Sequence, residues 1–413
     1  MTIDSRAGAR PAKTPVHVGD EAIVEIGPLA HGGHFIAHLS GHTVFVRHAL
    51  PGERTRISIT DVSSKIVRAD AVEILEPSPD RVPAPCAWAR PGGCGGCDFQ
   101  HVKRSAQLAL KGQVVRDALE RHAGLPGIDV RVEALDDDGS GLHWRTRVRW
   151  SVNGEGRPGL LAYRTHDVVP VDDCLLASPA IAELGIPRTR RAGATEVSTI
   201  EGDGGRVSVV VDGRLASGKQ RIDQRVRDRD WRVDVASFWQ VHPRAAETLV
   251  SAVLEAGRPA PGEHWWDLYS GVGLFSAFLA EEVGVTGVVH AVESAPSAVR
   301  DARRSLHDLG QVTLHHDNAL RWLRVADERP DGVVLDPPRA GAGREVVQAI
   351  ASAGPRVVVY VACDPVALAR DVALFASVGY RLAGLRSFDT FPMTHHVETV
   401  AALIPITLAH PIS

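Results

Sequence analysis

From about residue 237 onward the chain alternates short, wholly apolar runs with helix-forming stretches: HWWDLYS, GVVHAVE, DGVVLDPP, RVVVYVACDP and ETVAALIPI recur with helical segments between them. A strand that is apolar at every position, rather than at every second one, must be covered on both faces, and the element that covers parallel strands is a helix. The pattern predicts a doubly wound, Rossmann-like domain over residues 237–413. Open sheets of this kind bind their ligands outside the carboxyl ends of the strands, so the polar residues that end these runs are where chemistry is expected.

The rest of the 413-residue chain has room for further cores, which makes it a multidomain α/β protein. Residues 15–77 carry short β-rich runs broken by glycine-bearing turns, EAIVEIGPLAHGGHFIAHLSGHTVFVRHALPGERTRISITDV and then KIVRADAVEIL, and read as a five-stranded barrel of the oligonucleotide-binding type. Such barrels commonly bind single-stranded nucleic acid, although a purely structural barrel fits the same pattern. The proline-rich EPSPDRVPAP sets a boundary near residue 77, and residues 78–236 form a central α+β segment. Residues 1–14 read as a flexible polar tail. With no run of 18 apolar residues the chain is expected to be cytoplasmic, without membrane association, and nothing implies an obligate protein partner. The formal charge of −4 gives no global attraction for a polyanion, so contact with nucleic acid must come from local arginines. Trp144-Arg145-Thr146-Arg147-Val148-Arg149-Trp150 reads as a strand with three arginines on one face, and PRTRR at 187–191 is a second cluster; an exposed charged face is the competing reading.

The first C-terminal strand ends in Asp267-Leu268-Tyr269-Ser270-Gly271-Val272-Gly273-Leu274-Phe275-Ser276 before an apolar helix. This is the layout of a nucleotide-binding first turn, where glycines such as Gly271 let a ligand approach the backbone. Ser276 replaces the third glycine of the dinucleotide fingerprint. The next strand ends on Glu293, placed to accept the hydroxyls of a ribose. No lysine or arginine in the loop could meet a pyrophosphate, which favours a nucleoside such as S-adenosylmethionine.

Two later strands end in Asp336-Pro337-Pro338-Arg339 and Cys363-Asp364-Pro365. A lone strand-end cysteine is ordinarily a small buried hydrophobe. At a ligand-binding edge it has a second use: a thiolate that adds to C6 of uracil makes C5 nucleophilic toward a methyl group, and a base then removes the C5 proton so that the cysteine can leave. Glu398 in FDTFPMTHHVET is the candidate base, with His395 and His396 as weaker alternatives, and Arg339 suits an enolate oxygen or a phosphate. The other four of the five cysteines, Cys86, Cys94, Cys97 and Cys174, form a C-x7-C-x2-C run with a distant fourth. Four thiolates hold either zinc or a cubane iron-sulfur cluster, and ligand count alone does not choose.

Taken together, these motifs resemble the RNA 5-methyluridine (uracil-C5) methyltransferases, in the subgroup with an N-terminal TRAM barrel and an iron-sulfur cluster. The resemblance spans nearly the whole chain and is carried by SFWQVHP at 237–243, DLYSGVGLFS at 267–276, DPPRAG at 336–341, YVACDPVALARD at 360–371 and FDTFPMTHHVET at 388–399. It implies that Gln240, Tyr269, Glu293 and Asp336 join Gly271 at S-adenosylmethionine, that Cys363 is the nucleophile and Glu398 the base. It implies a [4Fe-4S] cluster on Cys86, Cys94, Cys97 and Cys174, with structural zinc as the alternative. The implied partner is RNA, preferably 23S ribosomal RNA, with the T-loop uridine of transfer RNA as the alternative. Leu274 and Asp364 depart from the asparagines that members often carry, and a carboxylate at 364 tends to raise the neighbouring thiol's pKa. Two other function classes compete: an amino-group nucleic-acid methyltransferase that needs no covalent cysteine, and a non-catalytic RNA-binding or iron-sulfur protein.

Overall fold

A computed structural model describes residues 15–63, 66–135 and 138–406, so the tail read over residues 1–14 lies outside the described residues. The chain divides into two compact units, Met1–Gln107 with Met393–His395, and Leu108–Pro392 with His396–Ser413.

Unit one is built on β1 (Glu21–Glu25), β2 (Leu29–Ala30), β3 (His34–Leu39), β4 (His42–Arg47), β5 (Arg54–Val62) and β6 (Val67–Glu76), in the order β1-β5-β6-β4-β3-β2. The sequence pattern predicts five strands; the sixth is the two-residue β2. It forms because the chain folds back at Gly27, whose N–H donates to the Ile36 carbonyl at 2.7 Å. A Cβ at Gly27 would stand 2.9 Å from that oxygen. On β5, Ile57 and Ile59 are buried between the polar, more exposed Arg56, Ser58 and Thr60, the period of a half-buried strand. The fully buried Glu53 takes two hydrogen bonds from Arg81, at 2.5 and 2.7 Å, and one from the Leu50 N–H at 2.8 Å.

The first described helix, α1 (Arg104–Ala118), begins in the last residues of unit one, and in unit two the chain leads on to β7 (Val132–Ala134). An antiparallel sheet follows, made of β8 (Arg147–Val152), β9 (Pro158–Leu161), β10 (Val168–Val169), β11 (Glu196–Gly202), β12 (Arg206–Val211) and β13 (Arg214–Ser217), with the short α2 (Pro179–Glu183) between β10 and β11. The hairpin β14 (Arg221–Val226) and β15 (Arg229–Asp234) precedes the doubly wound part: α3 (Ala245–Gly257), β16 (His264–Leu268), α4 (Leu274–Val283), β17 (Val288–Glu293), α5 (Pro296–Ser305), β18 (Val312–His316), α6 (Ala319–Leu323), β19 (Gly332–Leu335), α7 (Arg344–Ala353), β20 (Val357–Ala362), α8 (Pro365–Ser377), β21 (Tyr380–Asp389) and β22 (Glu398–Pro405). The eight-stranded sheet runs β18-β17-β16-β19-β20-β22-β21-β7. Its first five strands are parallel, β22 is antiparallel to both β20 and β21, and β7 adds to the edge parallel to β21. Strand 132–134, which falls within the segment read as central, therefore belongs to the C-terminal sheet.

The wholly apolar β20 shows why such runs need helices on both sides. Val357, Val359 and Val361 enter the core that holds Leu249 and Val253 of α3 and Phe278 of α4, while Val358, Tyr360 and Ala362 enter the one that holds Ile350 of α7 and Leu368 of α8. Each buried valine contributes about 1.5–3 kcal/mol relative to exposure. No helix among the described residues is long and apolar enough to cross a membrane.

Candidate active site

The carboxyl ends of β16, β17, β19 and β20 carry Tyr269 and Gly271, Glu293, Asp336 and Cys363. After β16 the backbone enters the left-handed region at Tyr269 (φ 64°), Gly271 (57°) and Gly273 (86°). The last must be glycine, because a Cβ there would stand 2.6 Å from Leu306. Ser270 N–H donates to the Val292 carbonyl at 3.0 Å and anchors the loop to β17. Glu293, at the end of β17, accepts from Gly271 N–H at 2.9 Å and from Ala295 N–H at 2.6 Å. The position where the dinucleotide fingerprint has its third glycine is explained by the Ser276 hydroxyl, which donates to Asp267 at 2.5 Å and locks strand to helix. Leu274, the other departure from the family pattern, is buried at the start of α4.

Strand register assembles the second half. Ala362 of β20 pairs with Thr399 of β22, and Val361 with Val400, so one further step along this antiparallel ladder sets Cys363 across from Glu398. Asp336 follows Leu335, which pairs with Tyr360, and its N–H reaches back to the Leu268 carbonyl at 3.3 Å. Four acidic groups thus share one desolvated edge. Burial, with Asp267 nearby, pushes Asp336 up to about 7, and burial pushes Asp267 up to about 7 against the Ser276 hydrogen bond. Burial and then Asp336 raise Glu398 well above the usual carboxylate range, while Arg339 opposes. The Cys363 thiol is pushed up to about 11 by burial first, then by Glu398 and Asp336. Asp364 contributes least among the acids named there, and its carboxylate caps α8, accepting from Ala367 N–H at 2.8 Å.

The segment that carries Glu398 also contains the alternative bases. In unit one, His395 Nδ1 lies 2.6 Å from Asp98. In unit two, the His396 ring meets Phe391 edge-on, at 5.6 Å between centroids. Gln240 is half-buried and makes no hydrogen bond to the described residues.

The sequence reading passed over several residues that shape this edge. Asp371 of α8 accepts from Tyr360 Oη at 2.6 Å and from the N–H groups of Ala342 and Gly343 at 2.6 and 3.2 Å, holding the turn that follows Asp336-Pro337-Pro338-Arg339. Lys111 of α1 is fully buried against Asp389, 2.5 Å away, and also donates to the Phe391 carbonyl at 3.0 Å. Asp267 was visible as a charge inside an apolar strand, the one signal that could have singled it out. The others sit in helices or loops whose partners are remote in sequence.

The cysteines expected to bind a cluster are distributed differently. Cys86, Cys94 and Cys97 lie on turns of unit one between β6 and α1, and Cys174 lies in unit two. Among the described residues no group of three or more His, Cys, Asp or Glu that could hold a metal ion is found. Cys94 Sγ accepts from Gly96 N–H at 3.3 Å and Cys97 Sγ from Gln100 Nε2 at 3.4 Å.

The nucleoside site does fit its expected occupant. Asp267 Oδ1 is buried with no hydrogen-bond partner among the described residues, beside a second carboxylate raised by the same burial. Uncompensated acids of this kind suit a cationic ligand, and S-adenosylmethionine carries a sulfonium. A Cβ on Gly271 would meet nothing within 4 Å, so the loop backbone is open to approach.

A doubly wound sheet with this loop, a carboxylate at the end of the second strand and acids for a sulfonium define an S-adenosylmethionine-dependent methyltransferase. The family description "tRNA (Uracil-5-)-methyltransferase" matches residues 214–405, and "TRAM domain" matches residues 15–72. An uncharacterized RNA methyltransferase of Streptomyces coelicolor is 44% identical over 97% of this chain and 97% of its own length. Another from Corynebacterium glutamicum is 32% identical over 94% of this chain and 98% of its own. The solved structure of Pyrococcus abyssi tRNA (uracil-54, C5)-methyltransferase in complex with S-adenosyl-L-homocysteine has a TM-score of 0.70 at 24% identity, covering 92% of this chain and 99% of that one, a likeness of fold. The chain belongs to the RNA uracil-5-methyltransferase family and carries a TRAM domain.

Proposed function

We propose that this enzyme methylates C5 of a uridine in RNA, with 23S ribosomal RNA as the preferred substrate and the transfer RNA T-loop as the alternative, through Cys363 as nucleophile and Glu398 as base. The observation that carries the reading is the β20–β22 register, which sets the thiol across from the buried carboxylate. Gln240, Tyr269, Gly271, Glu293 and Asp336 are assigned to S-adenosylmethionine, which supplies an electrophilic methyl group when bound.

Cys363 Sγ, as thiolate, forms a bond to uracil C6, and the C5=C6 electron pair moves onto C5 and O4. Arg339, the one cation that opposes the rise of both Cys363 and Glu398, favours the thiolate and suits the enolate oxygen. C5 then takes the methyl group, the methyl–sulfur bond breaking with its electron pair left on the sulfur, so that S-adenosylhomocysteine departs. The proton left on C5 passes to the Glu398 carboxylate, the C5=C6 bond re-forms and the bond between Sγ and C6 breaks, freeing the thiolate and 5-methyluridine. Burial, which makes Glu398 hard to ionise, makes its ionised form a stronger base for a weakly acidic C–H. The uracil edge is inaccessible in a paired helix, so the target lies in a loop or is flipped out.

The proposed division is residues 15–77 as RNA-holding barrel, 78–236 as central domain and 237–413 as methyltransferase domain, in a cytoplasmic protein. A [4Fe-4S] cluster on Cys86, Cys94, Cys97 and Cys174 is kept as a structural proposal through which no step passes. Its support is the thiol set and the two N–H donors on sulfur; iron, sulfide and zinc analysis of anaerobically purified protein decides it.

The function is tested by nucleoside mass analysis of ribosomal and transfer RNA from cells with and without the gene. Loss of 5-methyluridine at one position, restored by wild type and not by Cys363→Ala, is the expected result. An unchanged profile, with redundant enzymes removed, points to amino-methylation or a non-catalytic role.

A further inference from the structure

Arg147 is an unanchored arginine of unit two. It sits half-buried on β8, its Nη2 is sealed from solvent without a hydrogen-bond partner, and no carboxylate pairs with its guanidinium among the described residues. Burial alone lowers its pKa. Its strand neighbours differ: Arg145 Nε donates to the Arg147 carbonyl at 3.1 Å, and the exposed Arg149 stands 3.6 Å from Glu196. Arg229 gives the contrast, anchored by Asp308 at 2.9 Å and by the Ser305 carbonyl at 2.7 Å, whereas Arg191 shares with Arg147 a sealed nitrogen without a partner. A desolvated cation with no anion lowers stability, and an apolar residue of similar length would serve the fold better. The missing anion is one that the folded chain does not provide.

The location narrows what that anion is. Immediately before β8, Thr146 N–H and Oγ1 both donate to the Val241 carbonyl at 2.9 Å. Trp144 stacks on His242 with centroids 5.8 Å apart and meets Phe391 edge-on at 6.1 Å. Val241 and His242 directly follow Gln240, and Phe391 lies on the segment that leads to Glu398. The strand therefore starts against residues that directly follow Gln240 in the chain, and it carries Arg147 and Arg149 on one face, about 6.7 Å apart, with Arg145 just before it. Trp144, Val148 and Trp150 are buried on the other face. A planar guanidinium pairs with a phosphodiester through two parallel hydrogen bonds.

We propose that Arg147 anchors an RNA phosphate close to the target uridine, and that Arg145 and Arg149 extend the track along β8. The proposal rests on RNA being the substrate, but not on the covalent mechanism. It is tested by titrating a fluorescein-labelled, uridine-containing stem-loop RNA with the full-length protein, without S-adenosylmethionine, over a range of salt concentrations.

Arg147→Met is expected to weaken RNA binding roughly tenfold and to reduce the slope of log affinity against log salt by about 0.7–0.9, the loss of one phosphate contact. The same change is expected to raise the melting temperature, because an unpaired buried charge is replaced by an apolar chain. Arg147→Lys keeps the salt slope. An unchanged affinity and slope in Arg147→Met overturns the proposal. So does a lower melting temperature with weakened binding that Arg147→Lys fails to restore. Because turnover plays no part, a protein that binds as expected yet yields no 5-methyluridine sinks the methylation reading and leaves the phosphate anchor standing.

Discussion

Asp336 shows what the site demands of a single residue. Its pKa lies near 7 in the folded protein against 3.8 for an ordinary aspartate, so folding favours its protonated form. A carboxylate raised by folding contributes stability that is full below about pH 4 and is lost as pH rises through about 7. Asp336→Asn is accordingly expected to raise the melting temperature at pH 8 and to flatten its rise between pH 8 and 5.5, while weakening S-adenosylmethionine binding; calorimetry and cofactor titration check both. At Cys363, with a thiol near 11, the pre-steady-state rate of methylation is expected to climb from pH 7 to 10. Asp364 raises the Cys363 thiol, as its place beside the cysteine implies, but less than burial, Glu398 and Asp336 do. Its side chain also caps α8. Asp364→Asn, which keeps the cap, should leave kcat within about twofold, whereas Asp364→Ala should cost about 1 kcal/mol of stability. Sequence shows which residues are neighbours along the chain; it does not show which way a side chain turns.

At the scale of elements, the strand tips were legible because a continuous apolar run can only be a doubly covered strand, and its first polar residue must lie at an edge. Cys363 and Asp336 were found that way. Glu398 was a candidate because the chemistry needs a base, the resemblance gave it the same role, and the antiparallel pairing of β22 with β20 is what puts it opposite the thiol. The turn after Asp336 had no such signal. It is held by Asp371, whose two oxygens take hydrogen bonds from Tyr360, Ala342 and Gly343, and a Cβ at Gly341 (φ 89°) would stand 2.6 Å from that carboxylate. Asp371→Asn is expected to lower kcat by roughly tenfold or more through the loosened turn that carries Arg339, with RNA affinity little changed. Equal loss of binding and turnover would mean that Asp371 serves the fold alone.

At the scale of the molecule, segment-by-segment reading fails where distant pieces meet. Strand β7 joins the C-terminal sheet from residues 132–134, and Met393–His395 group with unit one, arrangements that no local periodicity records. The Lys111–Asp389 ion pair, with both side chains at 0% exposure, joins α1 to the end of β21 across 278 positions. Lys111→Ala is expected to destabilise the protein by about 3–5 kcal/mol in denaturant unfolding, because the aspartate loses its ammonium; replacing both partners with apolar residues should recover much of it. The central claim concerns the meeting of Cys363 and Glu398, and the most direct measurement traps the reaction between them. Full-length Glu398→Gln is incubated with RNA and S-adenosylmethionine, denatured, digested and weighed. The account predicts a Cys363 peptide bonded to a uridine nucleotide heavier by one methyl group, missing when Cys363→Ala is added. Free 5-methyluridine formed at the wild-type rate by Cys363→Ala, with no adduct in Glu398→Gln, would contradict it.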